Sequence, residues 1–599
     1  MKPILTLIAT LLLAPLAALH AADAPPSPVK TGVILVNHVG FPPNAAKHCV
    51  IPAPPEKQFT IHRLKDTKWT QVFAGALVQG GSELEPGWVG DFSALKDDGI
   101  YQVRCGSLKS RAFTVYAGVY DEPMRSLFNF FTWARCGDTT KNYAGPCHLD
   151  DGNLVGVGHR DFSGGYHQSS DLRKWPWGLN LGLMGLVQFG SLQKPYWDNG
   201  SIAEEVRWGC DYYQKLVRDD GGMFDSVFIP IHWGPRDYYP SDPPAPALWN
   251  NIRHQAMAAE YFKDHDAAYA AKCRLTAERV WRYMTSDKRP KGKYVPPAMP
   301  PLGHAGLNTN FSAFYEGSAQ DLAHRVNAAL ALHRSTGNKV FLEDAARSTS
   351  QLAALQAVEA DGRLSAVFWE GPEGDRLGSE LRGFGYFGNG TIVPSFCEMI
   401  AASPQHPDAP RWREVVRAIA ERYSEISARN PWGLLASHFT LQESPVANGK
   451  ASVTERPYPG ASIRPRTGGT SAKSSAYEYR SHIYHHDIML AALFLNRAAE
   501  ITGNKSYRVV AQRQLDWVMG CNPFDASAIE GVGYNQPLRG LFGEFFPPTP
   551  QIPGAVGIRL SIRSFDPNQY GNCGSNEYDM PVVGNVLWLM AEQAKQPGK

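Results

Sequence analysis

Hydrophobic and polar positions follow two different rhythms along this chain. Over residues 29–120 apolar residues come in short runs with a period of two, separated by turn residues. TGVILVNHVGF is a β-branched run closed by Gly40 and Pro42, DFSALKDDGIYQVRCG carries a turn ahead of an alternating strand, and SRAFTVYAG alternates again. Successive strand side chains face opposite sides of a sheet, so these runs predict an immunoglobulin-like β-sandwich over 29–120.

From residue 121 to 596 the apolar spacing changes to three and four. SIAEEVRWGCDYYQKLV, NIRHQAMAAEYF, RLTAERVWRYM and VVGNVLWLMAEQ each place an apolar stripe on one helical face. Two segments share a device: RVNAALALHRSTGNKVFLEDAARS and MLAALFLNRAAEITGNKSYRVVAQRQ each run helix, Thr-Gly-Asn-Lys, helix. Gly337 and Gly503 suit the left-handed residue that ends a helix, so each segment predicts an antiparallel helix pair. Repeated pairs over this length predict an all-α toroid of hairpins.

Long Pro-, Gly- and Trp-rich stretches interrupt the helices, among them FIPIHWGPRDYYPSDPPAPALW and RPYPGASIRPRTGGTS. Loops of such length are commonly functional, and Trp233, Tyr238, Tyr239 and Trp249 are read as a cleft wall. Aromatics make up 11% of the 599 residues, including Trp 15 and Tyr 25, a supply that serves both core packing and stacking on sugar faces.

Residues 1–22, with one lysine, an apolar run and small residues around Ala21 and Ala22, read as a secretory signal peptide, which predicts a secreted or periplasmic protein. No later stretch is long and apolar enough to predict a membrane span. Lys+Arg 59 against Asp+Glu 57 is near balance, so charge gives no reason to expect nucleic acid as a partner. The nine cysteines are scattered and odd in number, which favours a metal site over a full disulfide framework.

The metal candidates lie in RCGDTTKNYAGPCHLDDGN and the VGHRDFSGGY that follows. Cys136, Cys147, His148 and His159 supply two thiolates and two imidazoles, a closed tetrahedral zinc set and therefore a structural one. The alternative is two unligated cysteines and surface histidines. Calcium is a second cofactor candidate without assigned ligands. Near the C-terminus, Glu577 stands on a polar Gly/Ser/Asn loop before an apolar helix. It is either a proton donor with a raised pKa or a carboxylate complementing the helix dipole.

These motifs, in this order, resemble glycoside hydrolase family 9, in its bacterial branch with an N-terminal immunoglobulin-like module. VNHVGFPPNAAK and DFSALKDDGIY are similar to that module, RCG…CHLDDG…HRDFSGGYHQSSD to the family's zinc segment and GGW-[HY]-DAGD motif, LDWVMGCNPF to its Gly-x-Asn-Pro turn, and SNEYDMPVVG to its SNE signature. The resemblance implies a six-hairpin α/α barrel and hydrolysis of a β-1,4-linked polysaccharide or oligosaccharide with inversion. It further implies that Asp171 is the general base, that Glu577 is the general acid, and that Cys136, Cys147, His148 and His159 hold structural zinc.

Two motifs depart from the family. Gln168 replaces the first Asp of DAGD, and the substrate-contacting PHHR segment is absent, with Arg539 in the region where it would stand. Specificity is therefore expected to shift away from plain cellulose. His167, Gln168, Trp175, Trp233 and Arg539 are the expected substrate contacts. Tyr479, His482 and His486 are either a polar helix entrance or substrate contacts that replace the lost His-His-Arg set. Arg173, Lys174 and Arg539 suggest an acidic substrate. Two other readings stand beside this one: a non-catalytic carbohydrate-binding relative, and a polysaccharide lyase that uses Tyr479, His482 and His486 on an acidic glycan.

Overall fold

The computed structural model describes residues 30–82, 84, 86–137, 145–149, 151–169, 174, 176–193, 200–226, 237–289, 316–359, 361–369, 381–382, 389–435, 438–439, 441–447, 450–455, 485–537, 552–560, 565 and 577–595. The N-terminal part is built from β1 (Gly40–Phe41), β2 (His48–Ile51), β3 (Gln58–Lys65), β4 (Lys68–Gln79), β5 (Trp88–Asp91), β6 (Gly99–Cys105), β7 (Leu108–Lys109) and β8 (Phe113–Val115). Their order is β1-β8-β6-β3-β4-β5-β2, with β7 on β6. Strand β4 pairs first with β3 and at its end with β5, so the sheet folds over a core that includes Phe59, Ile61, Tyr101, Val103 and Phe113. Tyr101, Val103 and Cys105 point inward while the residues between them stay at least partly exposed, the alternation expected of β6.

The run TGVILVNHVGF is not the strand its composition predicts. It contributes a single bridge, Leu35 to Val50, and then β1. Two of its polar groups bond to the helical part instead. Asn37 Nδ2 donates to Asp516 Oδ1 at 2.8 Å, and the His38 amide donates to the Met519 carbonyl at 2.8 Å. His48 Nδ1 lies 3.3 Å from the other Asp516 oxygen. Burial pushes the Asp516 carboxyl up to about 7, so the joint between the two parts is a buried polar cluster rather than an open hinge.

Twelve helices follow among the described residues: α1 (Asp121–Trp133), α2 (Pro176–Gln193), α3 (Ser201–Lys215), α4 (Ala245–Phe262), α5 (Ala267–Met284), α6 (Ala319–Thr336), α7 (Lys339–Ala354), α8 (Asn389–Ala402), α9 (Ala409–Ser427), α10 (His485–Thr502), α11 (Ser506–Val518) and α12 (Met580–Ala594). Helices α2, α4, α6, α8, α10 and α12 each pack on the next, and α12 closes on α2. Each also packs on an outer helix, which completes six hairpins and an α/α barrel. The inner helices are buried nearly all round: in α6 only Arg325 interrupts the buried run from Ala319 to Leu332.

The repeated Thr-Gly-Asn-Lys device works as its residues dictate. Gly337 (φ 71°) and Gly503 (φ 76°) take the left-handed conformation, and their amides donate to the carbonyls of His333 and Ala499. Asn338 and Asn504 then accept from the Val340 and Ser506 amides at the start of the next helices. Closure of the ring depends on glycine for a different reason. A Cβ on Gly185 of α2 would stand 2.4 Å from the Gly584 carbonyl oxygen of α12, and one on Gly584 would stand 2.5 Å from that of Gly182. Gly584→Ala should therefore force the first and last inner helices apart and cost about 1–3 kcal/mol. A thermal midpoint equal to the wild type's would show that the helices do not meet this closely.

Candidate active site and metal centre

One end of the barrel is covered by a stack of short extended segments. Residues 134–136 pair with 165–167: Arg135 bridges Tyr166, the Cys136 amide donates to Gly165, and the His167 amide donates to Ala134. The same strand continues to Ser169, which bridges Asp579, while the Met580 amide donates to the Gln168 carbonyl at 2.8 Å. Beyond it, Tyr578 bridges Gly557, and the Ile558 amide donates to the Glu577 carbonyl at 2.9 Å. The start of α10 closes the layer, with the His485 amide on the Ile558 carbonyl and its Nδ1 at 2.6 Å from the Gly557 carbonyl. Segments far apart in sequence are thus held edge to edge by backbone hydrogen bonds.

Extended geometry places Glu577 and Asp579 on one side of their strand and Tyr578 on the other. Tyr578 goes into the core and meets Phe130 edge-on at 5.0 Å. Glu577 is partly exposed and accepts from the Ser169 hydroxyl. Asp579 is buried, and its Oδ1 accepts from Gln168 Nε2 at 3.3 Å. His486 is buried at the first turn of α10, with its Nε2 2.5 Å from Asp487 Oδ1. Burial opposes its charge, but Asp487, with Asp579 adding to it, holds His486 above the ordinary histidine range. The end of the barrel therefore carries two carboxylates facing the altered motif, one reaching the surface and one buried behind it.

A second cluster is built on the same strand stack. Ligand atoms of Cys136, Cys147, His148 and His167 lie within 4.8 Å of one another, all from buried residues. The two sulfurs are 3.8 Å apart, His148 Nδ1 is 3.2 Å from Cys136, and His167 Nε2 is 3.2 Å from Cys147. The sulfur–sulfur contact, with the two imidazoles beside it, pulls the Cys147 thiol well below the usual thiol range. His148 has φ 51°, a left-handed conformation that a non-glycine residue keeps only when its surroundings hold it there. The eight described cysteines form no disulfide.

This geometry corrects several sequence-based expectations. His159 is not in the cluster: it sits on a short hairpin of β9 (Asn153–Leu154) and β10 (Gly158–His159), exposed to solvent. The fourth corner is His167, expected to contact substrate, because the pairing of 165–167 with 134–136 turns its ring toward Cys147. Lys174 is buried and ion-paired with Asp151, and its Nζ donates to the Phe162 carbonyl at 2.7 Å, so it adds no positive charge to a cleft. Trp249 is fully buried in α4 with Nε1 on Asp321, and Tyr238 is buried with its hydroxyl on Asp151. Neither is a cleft wall. Asp171, Trp175, Trp233, Tyr479, His482 and Arg539 lie outside the described residues.

Ser169 and Asp579 were not singled out by the sequence. An Asp directly before Met-Pro at the start of an apolar helix reads as an ordinary N-cap, which hides its other use. Among the described residues no helix is long and apolar enough to cross a membrane.

Comparison with known proteins agrees with this architecture. Residues 120–540 match the family model for glycosyl hydrolase family 9, and residues 30–110 match that for the cellulase N-terminal Ig-like domain. The family match ends before Glu577. A cellodextrinase from Butyrivibrio fibrisolvens is 22% identical over 533 residues, covering 84% of this chain and 85% of that protein. Endoglucanase D from Acetivibrio thermocellus is 23% identical over 365 residues, covering 55% of each. Among solved structures, a Bacteroides ovatus GH9 protein has a TM-score of 0.64 at 16% identity, with 94% of this chain and 99% of that one covered. The GH family 9 endoglucanase J30 has a TM-score of 0.65 at 17% identity, with 93% and 100% covered. At such identities the likeness to solved structures concerns the fold, while the family match covers most of the chain. The chain belongs to glycosyl hydrolase family 9 and is a glycoside hydrolase with an immunoglobulin-like domain ahead of its α/α barrel.

Proposed function

We propose that this protein hydrolyses a β-linked polysaccharide or oligosaccharide with inversion, Glu577 acting as general acid and Asp171 as general base, on a substrate other than plain cellulose. The observation that carries the reading is the contact between the Ser169 hydroxyl and Glu577, which joins the altered motif to the C-terminal signature. Asp171 follows two residues after Ser169, a chain span of at most about 7 Å, which supports reading Asp171 and Glu577 as a pair. Glu577 in its acid form gives a proton to the leaving glycosidic oxygen. Asp171 takes one from a water that attacks the anomeric carbon from the opposite face, and the new reducing end has inverted configuration. The relatives named cellodextrinase and endoglucanase support a β-glucan-type substrate class. Gln168 and the missing PHHR segment support a shifted specificity. With Lys174 withdrawn into the core, support for an acidic glycan rests on Arg173 and Arg539.

A panel of β-glucans, xylans, mannans and uronate-containing glycans, read for reducing ends and for ultraviolet absorbance, tests the reading. Saturated reducing ends from one of them are expected. An unsaturated, absorbing product would instead mean lyase chemistry by the Tyr479, His482 and His486 set.

Zinc fits the cluster of Cys136, Cys147, His148 and His167. Bonds of about 2.3 Å to each sulfur in a tetrahedron put the sulfurs about 3.8 Å apart, the separation found here. The donor set is soft and closed, unlike the oxygen ligands calcium requires. Bound there, zinc would cross-link the strand stack that carries Gln168 and Ser169 and leave no position for water or substrate. Metal analysis should find zinc stoichiometric with the chain, and chelation should lower the thermal midpoint before turnover changes. A zinc-free protein of unchanged stability would overturn the assignment. Export to the periplasm or medium belongs to the same proposal, and a full-length cytoplasmic protein retaining residues 1–22 would contradict it.

A further inference from the structure

Gln168 holds a position where the family's pattern has a carboxylate, and a carboxylate from elsewhere in the chain stands against it. Asp579 is the N-cap of α12, with extended backbone (φ −143°, ψ 123°), yet its side chain makes no capping hydrogen bond. An N-cap aspartate ordinarily accepts from the second or third helical amide, a contact that stabilises by about 0.5–2 kcal/mol. Asp579 forgoes that contact. Its carboxylate is buried and meets Gln168 Nε2. A carboxylate can only accept, so the amide that faces it must be the NH2 end, and Gln168 Oε1 is thereby turned the other way. That oxygen is buried and has no hydrogen-bond partner among the described residues. Gln168 is itself pinned by its backbone, whose carbonyl accepts from the Met580 amide, so the pair cannot easily slide apart.

We propose that Asp579 is a positioning residue for hydrolysis: it fixes the Gln168 amide so that the buried, unpartnered Oε1 is kept as the acceptor for the attacking water once substrate is bound. The inference rests on the reading of Asp171 as base and Glu577 as acid. An oxygen that accepts one of the water's protons holds the molecule while Asp171 removes the other, and the lone pair left over points at the anomeric carbon. The exchange of Asp for Gln at 168 thus does not empty the site. The carboxylate has moved one layer back, to Asp579, and acts through the amide.

The test compares turnover of Asp579→Asn, of Gln168→Glu combined with Asp579→Asn, and of Glu577→Gln with that of the wild type. The probe is the best-cleaved member of a panel comprising cellopentaose, a mixed-linkage β-glucan pentasaccharide, xylopentaose and mannopentaose. In Asp579→Asn two amides face each other and neither orientation of Gln168 is enforced, so kcat should fall on the order of 10–100-fold, as for a mispositioned reactant, with KM and the thermal midpoint nearly unchanged. The double variant restores one carboxylate and one amide with their places exchanged. It again presents an acceptor oxygen, so it should recover most of the lost kcat. An unchanged kcat in Asp579→Asn, or a double variant no faster than the single one, would overturn the inference. Full activity in Glu577→Gln alongside a slowed Asp579→Asn would place the failure in the acid assignment rather than here.

Discussion

Replacing Glu577 by Gln should lower turnover by about 10²–10⁴-fold while leaving KM nearly unchanged, which corresponds to about 3–5 kcal/mol of transition-state stabilisation. The leaving group of glycoside hydrolysis is an alkoxide unless it is protonated as the bond breaks, and an amide has no proton of suitable acidity to give. The substitution is nearly isosteric, and the amide can keep the contact with the Ser169 hydroxyl. Substrates with a leaving group that needs no proton should therefore be affected much less than natural glycosides. Equal losses on both kinds of substrate would show that Glu577 shapes the cleft rather than donating a proton.

Asp171→Asn should produce a loss of similar size, again about 10²–10⁴-fold, for the opposite reason. The water must surrender a proton as it attacks, and an amide can hold the water but cannot take the proton. Because the leaving group is not concerned, the loss should persist on activated substrates. Steady-state kinetics on a natural and an activated substrate thus separate the two variants: one recovers and the other does not. If Asp171→Asn kept full activity on the natural glycoside, the base would have to be sought elsewhere at the barrel end, with Asp579 the nearest described carboxylate to Gln168.

The sequence carried most of the architecture because the architecture is made of periodicity. Alternation in GIYQVRC and three-four spacing in the inner helices are direct consequences of which faces are buried, and Gly337 and Gly503 mark turns that few other residues could make. The run at 31–39 misled because its composition is strand-like while only Leu35 bridges β2, and Asn37 and the His38 amide bond to the end of α11. Composition says what a segment prefers, not which neighbour claims its backbone.

The sites were legible to different depths. Two cysteines and an adjacent histidine point to a metal-ligating cluster, but the spacing picks out His159 where the structure brings His167. The choice was made by tertiary pairing: the β9–β10 hairpin carries His159 outward, while backbone bonds between 134–136 and 165–167 swing His167 onto Cys147. Lys174 looked like a cleft cation because it adjoins the motif, and its partner Asp151 lies in a different loop. Asp579 was hidden by a local role, helix capping, that it does not perform. In each case the missing information was a long-range contact, which no local pattern encodes.

The anomeric configuration of the first product tests the central claim most directly. Proton NMR of a β-linked oligosaccharide during its first minutes of hydrolysis, before mutarotation, should show the α-anomer accumulating at the new reducing end and the β-anomer appearing later. Early accumulation of the β-anomer would mean retention through a covalent intermediate, and would contradict a mechanism in which Asp171 activates water opposite Glu577.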